Sequence, residues 1–201
     1  MPSANVFAQF GFFVRRDFLD ADSCCRLIVE VSAAPPEPSR VVRNGVDHVL
    51  DEETRKTISA RVDPPTRREM RARLAAATPD LERHFDMPLG PCEAPGFLIY
   101  NAGAFFSPHR DAGPDDPPDI RRRSISAIVF LNAPSADSGY EGGELRFHRL
   151  LDGDPWEACP LTFDAEPGML VAFRSETLHE VRPVILGRRF TVVTWFPSRE
   201  I

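Results

Sequence analysis

Lysine is almost missing from this chain: Lys56 stands alone beside 23 arginines. Such a skew reflects genome base composition more than 23 separate guanidinium tasks, so any single arginine needs an argument from its position. Long apolar runs are missing as well. No stretch approaches the roughly 18–20 apolar residues of a membrane-spanning helix, and the opening MPSANVFAQFGFF lacks the basic start and apolar centre of a secretion signal. The expected location is the cytoplasm, with no membrane partner. Cysteine is scarce: Cys24, Cys25, Cys92 and Cys159 show no Cys-x-x-Cys spacing, which argues against a disulfide framework and predicts reduced thiols. Net positive charge is absent too. At −6 the chain offers no global attraction to nucleic acid, and Arg121-Arg122-Arg123 reads as a solvated turn.

What is present is the substance of one globular domain. The 201 residues are 42% hydrophobic and 27% charged, enough to build a core without disulfides. Residues 17 to 34 predict a helix capped by Asp20 or Asp22, with Leu27, Ile28 and Val31 on one face, ending before Pro35-Pro36. Asp63 and Pro64 signal a second helix through Leu74, and Thr78-Pro79 a further start. After Pro95 the pattern changes to short β-prone runs: FLIY (97–100), ISAIVFLN (125–132), GELRF (143–147), LTF (161–163), MLVAF (169–173), HEVRPV (179–184) and FTVVTWF (190–196). Many short strands between Gly, Pro and Asp clusters predict a mainly β jelly roll with flanking helices, an α+β arrangement. The helical part covers about residues 1–90 and the β core about 95–198, within one domain. The irregular insert DAGPDDPPDIRRR, 111–123, and the segment 40–60 are candidate lids beside a site.

The chemistry concentrates in SPHRDAG, Ser107 to Gly113. His109 and Asp111, two apart on a strand end, can project from the same face and reach one ion. Two histidines and one carboxylate on one side of an octahedral metal, with the other positions open, suit non-haem Fe(II). The third ligand must come from a distant strand, and His179, 68 positions after Asp111, is the candidate. A surface pair without a metal is the alternative for His109 and Asp111, and a structural histidine for His179. The remaining histidines, His48, His84 and His148, show no comparable carboxylate partner, and Glu180 would face away from His179. Ten residues beyond His179 comes Arg189. A guanidinium inside a barrel is costly unless paired, so it implies a buried anion, and Thr191 on the same face can add a hydrogen bond to that anion.

Five ordered motifs carry a resemblance. YNAGAFFSPHRD resembles the Tyr-x-x-Gly-x-Phe-x-x-x-His-x-Asp signature of Fe(II)/2-oxoglutarate-dependent oxygenases of the prolyl 4-hydroxylase-like branch. IVFLN, EGGELRF, the His179 block and the Arg189 strand are similar to later elements of the same branch, over about residues 97–197. The resemblance implies a double-stranded β-helix (cupin-like) with N-terminal helices packed on it, and iron held by His109, Asp111 and His179. It implies the distal carboxylate of 2-oxoglutarate on Arg189, O2 as oxidant and ascorbate as a candidate reductant. Tyr100 matches the signature tyrosine near the co-substrate; a packed core tyrosine is the rival reading. Where some relatives place a co-substrate-binding tyrosine before Leu-Asn, this chain has Phe130, leaving Thr191 or Tyr100 to compensate. Gly142 and Gly143 read as turn residues.

The implied activity is hydroxylation of an unactivated C–H bond, releasing succinate and CO2. A prolyl residue in a peptide or protein and a free amino acid or small natural product are both open as substrates. A jelly-roll binding module with a structural metal is the non-enzymatic alternative, which Arg189 disfavours. A zinc hydrolase lacks its His-Glu-x-x-His motif. Oligomeric state is not legible.

Overall fold

The computed structural model describes residues 4–39, 41–43, 46–49, 51–134, 139–150 and 160–199. Cys159, the side chain of His48, and Arg40, Asn44, Gly45 and Leu50 of the 40–60 segment lie outside that description. The chain begins with α1 (Ala4–Gln9) and β1 (Phe13–Arg15), then α2 (Ala21–Ala33), β2 (Pro36–Pro38) and the hairpin β3 (Val41–Arg43) and β4 (Val46–Val49). Next come β5 (Arg55–Lys56), β6 (Ile58–Ala60), α3 (Pro64–Ala76) and α4 (Thr78–Phe85). The second half holds β7 (Gly96–Asn101), β8 (Phe105–His109), α5 (Pro118–Arg121), β9 (Arg123–Phe130), β10 (Tyr140–Gly142), β11 (Leu145–Phe147) and β12 (Leu161–Phe163). It closes with β13 (Leu170–Arg174), β14 (His179–Val181) and β15 (Val184–Pro197).

Two sheets face each other. The larger runs β1-β13-β9-β15-β7-β6-β2, with β10 also pairing β15; the smaller runs β12-β11-β14-β8-β5. All pairings in both are antiparallel. This is the expected double-stranded β-helix, and period-two alternation divides its residues between two cores. On β9, Ile125, Ala127 and Val129 face the helices, joining Leu27, Val31, Leu74 and Leu81; Ile128 and Phe130 face the space between the sheets, with Phe147, Phe163 and Phe173. Each fully buried Leu or Phe is worth about 1.5–3 kcal/mol.

The first 60 residues differ from expectation. The sequence predicts a helix, a connector and, from residue 40, a candidate lid, yet β1, β2 and β6 extend the larger sheet and β5 the smaller one. Runs of two or three residues carry no period to detect, and only the sheet edges they meet make them strands. The first long helix starts at Ala21, not Asp17: Asp20 caps it by accepting from the Ser23 N–H at 2.6 Å, while the N–H groups of Phe18 and Leu19 donate to Gly168 O. β15 begins at Val184, earlier than the run at 190, because Gly187 with φ +77° lets the strand continue opposite Tyr140. Gly142 and Gly143 have the positive φ expected of them, +72° and +66°, but Gly142 is the last residue of β10, at a register irregularity, rather than part of a turn.

Candidate metal centre

Cross-strand register creates the site. In the pairing of β14 with β8, His179 stands directly opposite His109, and directly paired residues bring their side chains together on one face. The imidazole centroids are 4.2 Å apart. Asp111, just past β8, is tied down by its N–H donating to Ser175 O at 2.9 Å. Its carboxylate lies 3.6 Å from His109 Nε2 and 3.7 Å from His179 Nε2. One ligand atom from each of the three residues falls within 4.8 Å of the others, so the structure brings the sequence-predicted set together.

The tautomers follow from the backbone. His109 Nδ1 lies 2.8 Å from Ser107 O and His179 Nδ1 2.9 Å from Thr177 O. A carbonyl only accepts, so Nδ1–H donates in both rings and each Nε2 lone pair is left toward the cluster. Burial, followed by the charge of His109, lowers the His179 pKa from 6.5 to about 4, with Asp111 opposing. Burial works against ionising Asp111, but His179 and the His109 hydrogen bond outweigh it and hold the carboxyl well below its usual range. Neutral imidazoles and an ionised carboxylate are the forms a metal takes. The donor set therefore fits one divalent ion with octahedral preference.

A cavity of about 340 Å³ opens on the cluster, lined among others by Tyr100, Phe106, Ile128 and Trp195. The Phe106 ring stacks on His109 with centroids 3.4 Å apart, and Arg55 Cζ lies 4.6 Å over Phe106. Trp195 forms another wall. Arg123 Cζ sits 3.8 Å over the indole and is itself held by Glu93 through two bonds of 2.7 and 2.8 Å. Of the arginine run read as a solvated turn, Arg123 is thus a paired, stacked cation, because β9 starts there and turns it inward. The 111–123 insert also contributes Asp116 and Ile120 to the lining, and the 40–60 segment Asp51, Thr54 and Arg55.

Arg189 is 1% exposed and lies behind Tyr100, its Cζ 4.8 Å over that ring and 5.2 Å over Phe130. Its Nε and Nη2, and the Thr191 Oγ1, are buried without a hydrogen-bond partner. Leaving such atoms unpaired is expensive, and a carboxylate would satisfy them, so these residues fit an anionic co-substrate. Asn132, the end of IVFLN, fixes the strand there: its Nδ2 donates to Arg188 O and its Oδ1 accepts from Phe190 N, on either side of Arg189.

One assignment is corrected. His148 does have a carboxylate partner, Glu180, at 3.3 Å, with Arg182 3.8 Å from the same carboxylate. Glu180 faces away from His179 as expected, and β11 beside β14 brings His148 to it on the outer face. Sequence reading missed Ser126, which helps to lower the Asp111 pKa, and Ser175, whose hydroxyl accepts from that of Ser126 at 2.9 Å and whose backbone carbonyl accepts from the Asp111 N–H. It also missed Arg55, Phe106 and Trp195. Trp195 was detectable, since 189, 191, 193 and 195 share one face of a strand. Arg55 carried no local signal.

Residues 95–197 match the family model described as the 2OG-Fe(II) oxygenase superfamily. The chain belongs to that family. Among solved structures, the chain is similar to a prolyl-4-hydroxylase from Pseudomonas putida, with 26% identity, TM-score 0.73, and coverage of 98% of this chain and 97% of that one. A prolyl hydroxylase from Trichoplax adhaerens, solved with a hypoxia inducible factor peptide fragment, shares the fold at 18% identity and TM-score 0.70, covering 97% and 87%. A PKHD-type hydroxylase of Sphingopyxis alaskensis is 35% identical over 107 residues, 52% of this chain and 44% of its own length. One from a Synechococcus species is 34% identical over 123 residues, 59% and 50%. The chain thus spans about half the length of the curated relatives it matches. Among the described residues no helix is long and apolar enough to cross a membrane.

Proposed function

We propose that residues 1–201 form one Fe(II)- and 2-oxoglutarate-dependent oxygenase domain that hydroxylates a prolyl residue in a peptide or protein. The observation that carries this reading is the pairing of a His109–Asp111–His179 cluster with a buried, partner-seeking Arg189 one aromatic ring away. A purely structural metal has no use for a second buried anion site. The prolyl assignment draws on the similarity to the Pseudomonas enzyme.

When bound, iron and 2-oxoglutarate supply oxygen activation: one atom of O2 enters succinate, released with CO2, and the other becomes the product hydroxyl. The chain's own residues do the arranging. His109, Asp111 and His179 would hold the ion where they line the cavity. The Ser175 backbone orients Asp111, and the backbone carbonyls behind both imidazoles fix Nε2 as the ligand atom. Arg189 and Thr191 take the far carboxylate of the co-substrate, while the Tyr100 phenol lines the route to it. Phe106 and Trp195, braced by Arg55 and Arg123, give apolar walls that exclude water and present a ring carbon of the substrate.

Anaerobic addition of Fe(II) and 2-oxoglutarate tests the assignment. The expected result is a visible metal-to-ligand charge-transfer band, lost in His179→Ala. Its absence from well-folded wild type would refute the reading in favour of a binding module. For the substrate, prolyl peptides, free amino acids and small natural products are compared by substrate-dependent succinate release and by gain of one oxygen atom. Turnover confined to free amino acids or natural products would overturn the peptide assignment.

A further inference from the structure

The aromatic residue packed on Arg189 from β9, Phe130 at 5.2 Å, carries no hydroxyl, and the unpartnered Arg189 nitrogens leave a polar demand beside it that another residue can help to meet. Tyr140, on β10, is 2% exposed and belongs to the same inner core as Tyr100 and Phe130. Its pairing opposite Gly187 sets it two residues from Arg189 on the neighbouring strand. Gly143 lets the two side chains meet: a Cβ at that position would lie 3.1 Å from Arg189 Cδ and 3.3 Å from Tyr140 Cε2. Burial pushes the phenol pKa up and the neighbouring Arg189 charge pulls it back. A guanidinium only donates, whereas a phenol accepts one bond and donates another. Tyr100 is placed differently, since it presents its ring face to Arg189 and lines the cavity beside the metal ligands.

Resting on the reading of Arg189 as an anion anchor, we propose that the Tyr140 hydroxyl is a further donor to the distal carboxylate of 2-oxoglutarate, supplying the contact that Phe130 cannot make. Tyr140 is then a co-substrate-positioning residue that sets affinity and selectivity for a 2-oxo acid bearing a second carboxylate. Tyr140→Phe preserves ring and packing and removes only the oxygen.

The test is anaerobic calorimetric titration of the Mn(II)-loaded protein with 2-oxoglutarate and with 2-oxobutanoate, which lacks the distal carboxylate. Tyr140→Phe is expected to weaken 2-oxoglutarate binding on the order of ten- to a hundredfold, as for loss of a hydrogen bond to a charged group. Binding of 2-oxobutanoate and of Mn(II), and the melting temperature, are expected to stay at wild-type values. Adding Phe130→Tyr to Tyr140→Phe is expected to restore 2-oxoglutarate affinity in part. Unchanged 2-oxoglutarate affinity in Tyr140→Phe, or equal weakening of both 2-oxo acids, would overturn the role of Tyr140. Failure of wild type to bind 2-oxoglutarate at all would instead overturn the oxygenase reading on which it rests.

Discussion

His179 is the residue on which the most chemistry converges, and its protonation is set by the fold. Buried, and with its pKa lowered from 6.5 to about 4, it binds a proton more readily in the unfolded chain than in the folded one. Stability therefore rises with pH across that interval: the contribution is fully present above about 6.5 and is lost as pH falls toward about 4. Urea midpoints of the metal-free protein at several pH values in this window should fall with acidification, and His179→Gln should flatten the slope. An unchanged slope in the variant would assign the acid sensitivity to other groups. At this scale the sequence was highly legible. That His109, Asp111 and His179 come together was readable because their types and spacing suit one metal ion, and the burial of Arg189 because it lies on a core strand. Tyr140, Ser126 and Ser175 were not, since tyrosine and serine are common and only contact with Arg189 or Asp111 distinguishes them.

Among elements, the connection between β1 and α2 is held to the start of β13 at one point. Gly168, at φ +80°, accepts the N–H groups of both Phe18 and Leu19 at 3.1 Å, and a Cβ there would collide with the Leu19 carbonyl oxygen. Gly168→Ala should cost at least about 1–3 kcal/mol from backbone strain alone, read as a lower urea midpoint with an unchanged slope. A midpoint equal to wild type would show that the loop relaxes freely. Long strands such as β9 and β15 announced themselves as β-prone runs between turn signals. β8, which carries His109, did not: its residues FFSPH include Pro108, and proline argues against an internal strand. The structure accommodates it through a register irregularity between His179 and Val181, where β8 runs one residue longer than its partner.

For the whole molecule, metal and co-substrate are folding ligands as well as reactants. A ligand that binds only the folded state at a hundred times its dissociation constant adds about 2.7 kcal/mol. In a chain of this size that corresponds to a rise in melting temperature of roughly 5–10 °C. Calorimetric scans with Mn(II), without and with 2-oxoglutarate, should show stepwise increases, and the second step should vanish in Arg189→Ala while the first remains. Loss of both steps would mean that Arg189 supports the metal centre itself. The two-sheet architecture and the helical cover were legible from the change of pattern after Pro95. The strands given to both sheets by the first 60 residues were not.

Residue types and their order along the chain were enough to single out His109, Asp111 and His179 as a candidate metal cluster, Arg189 as a buried cation and the jelly-roll class, because metal coordination and strand formation are rules about kind and spacing. Tertiary structure alone decided that Arg123 braces Trp195, that Arg55 stacks over Phe106, that His148 finds Glu180, and that Tyr140 meets Arg189 across Gly143. Those are contacts between segments whose separation in sequence bears no relation to their distance in space, and only the register of paired strands determines them.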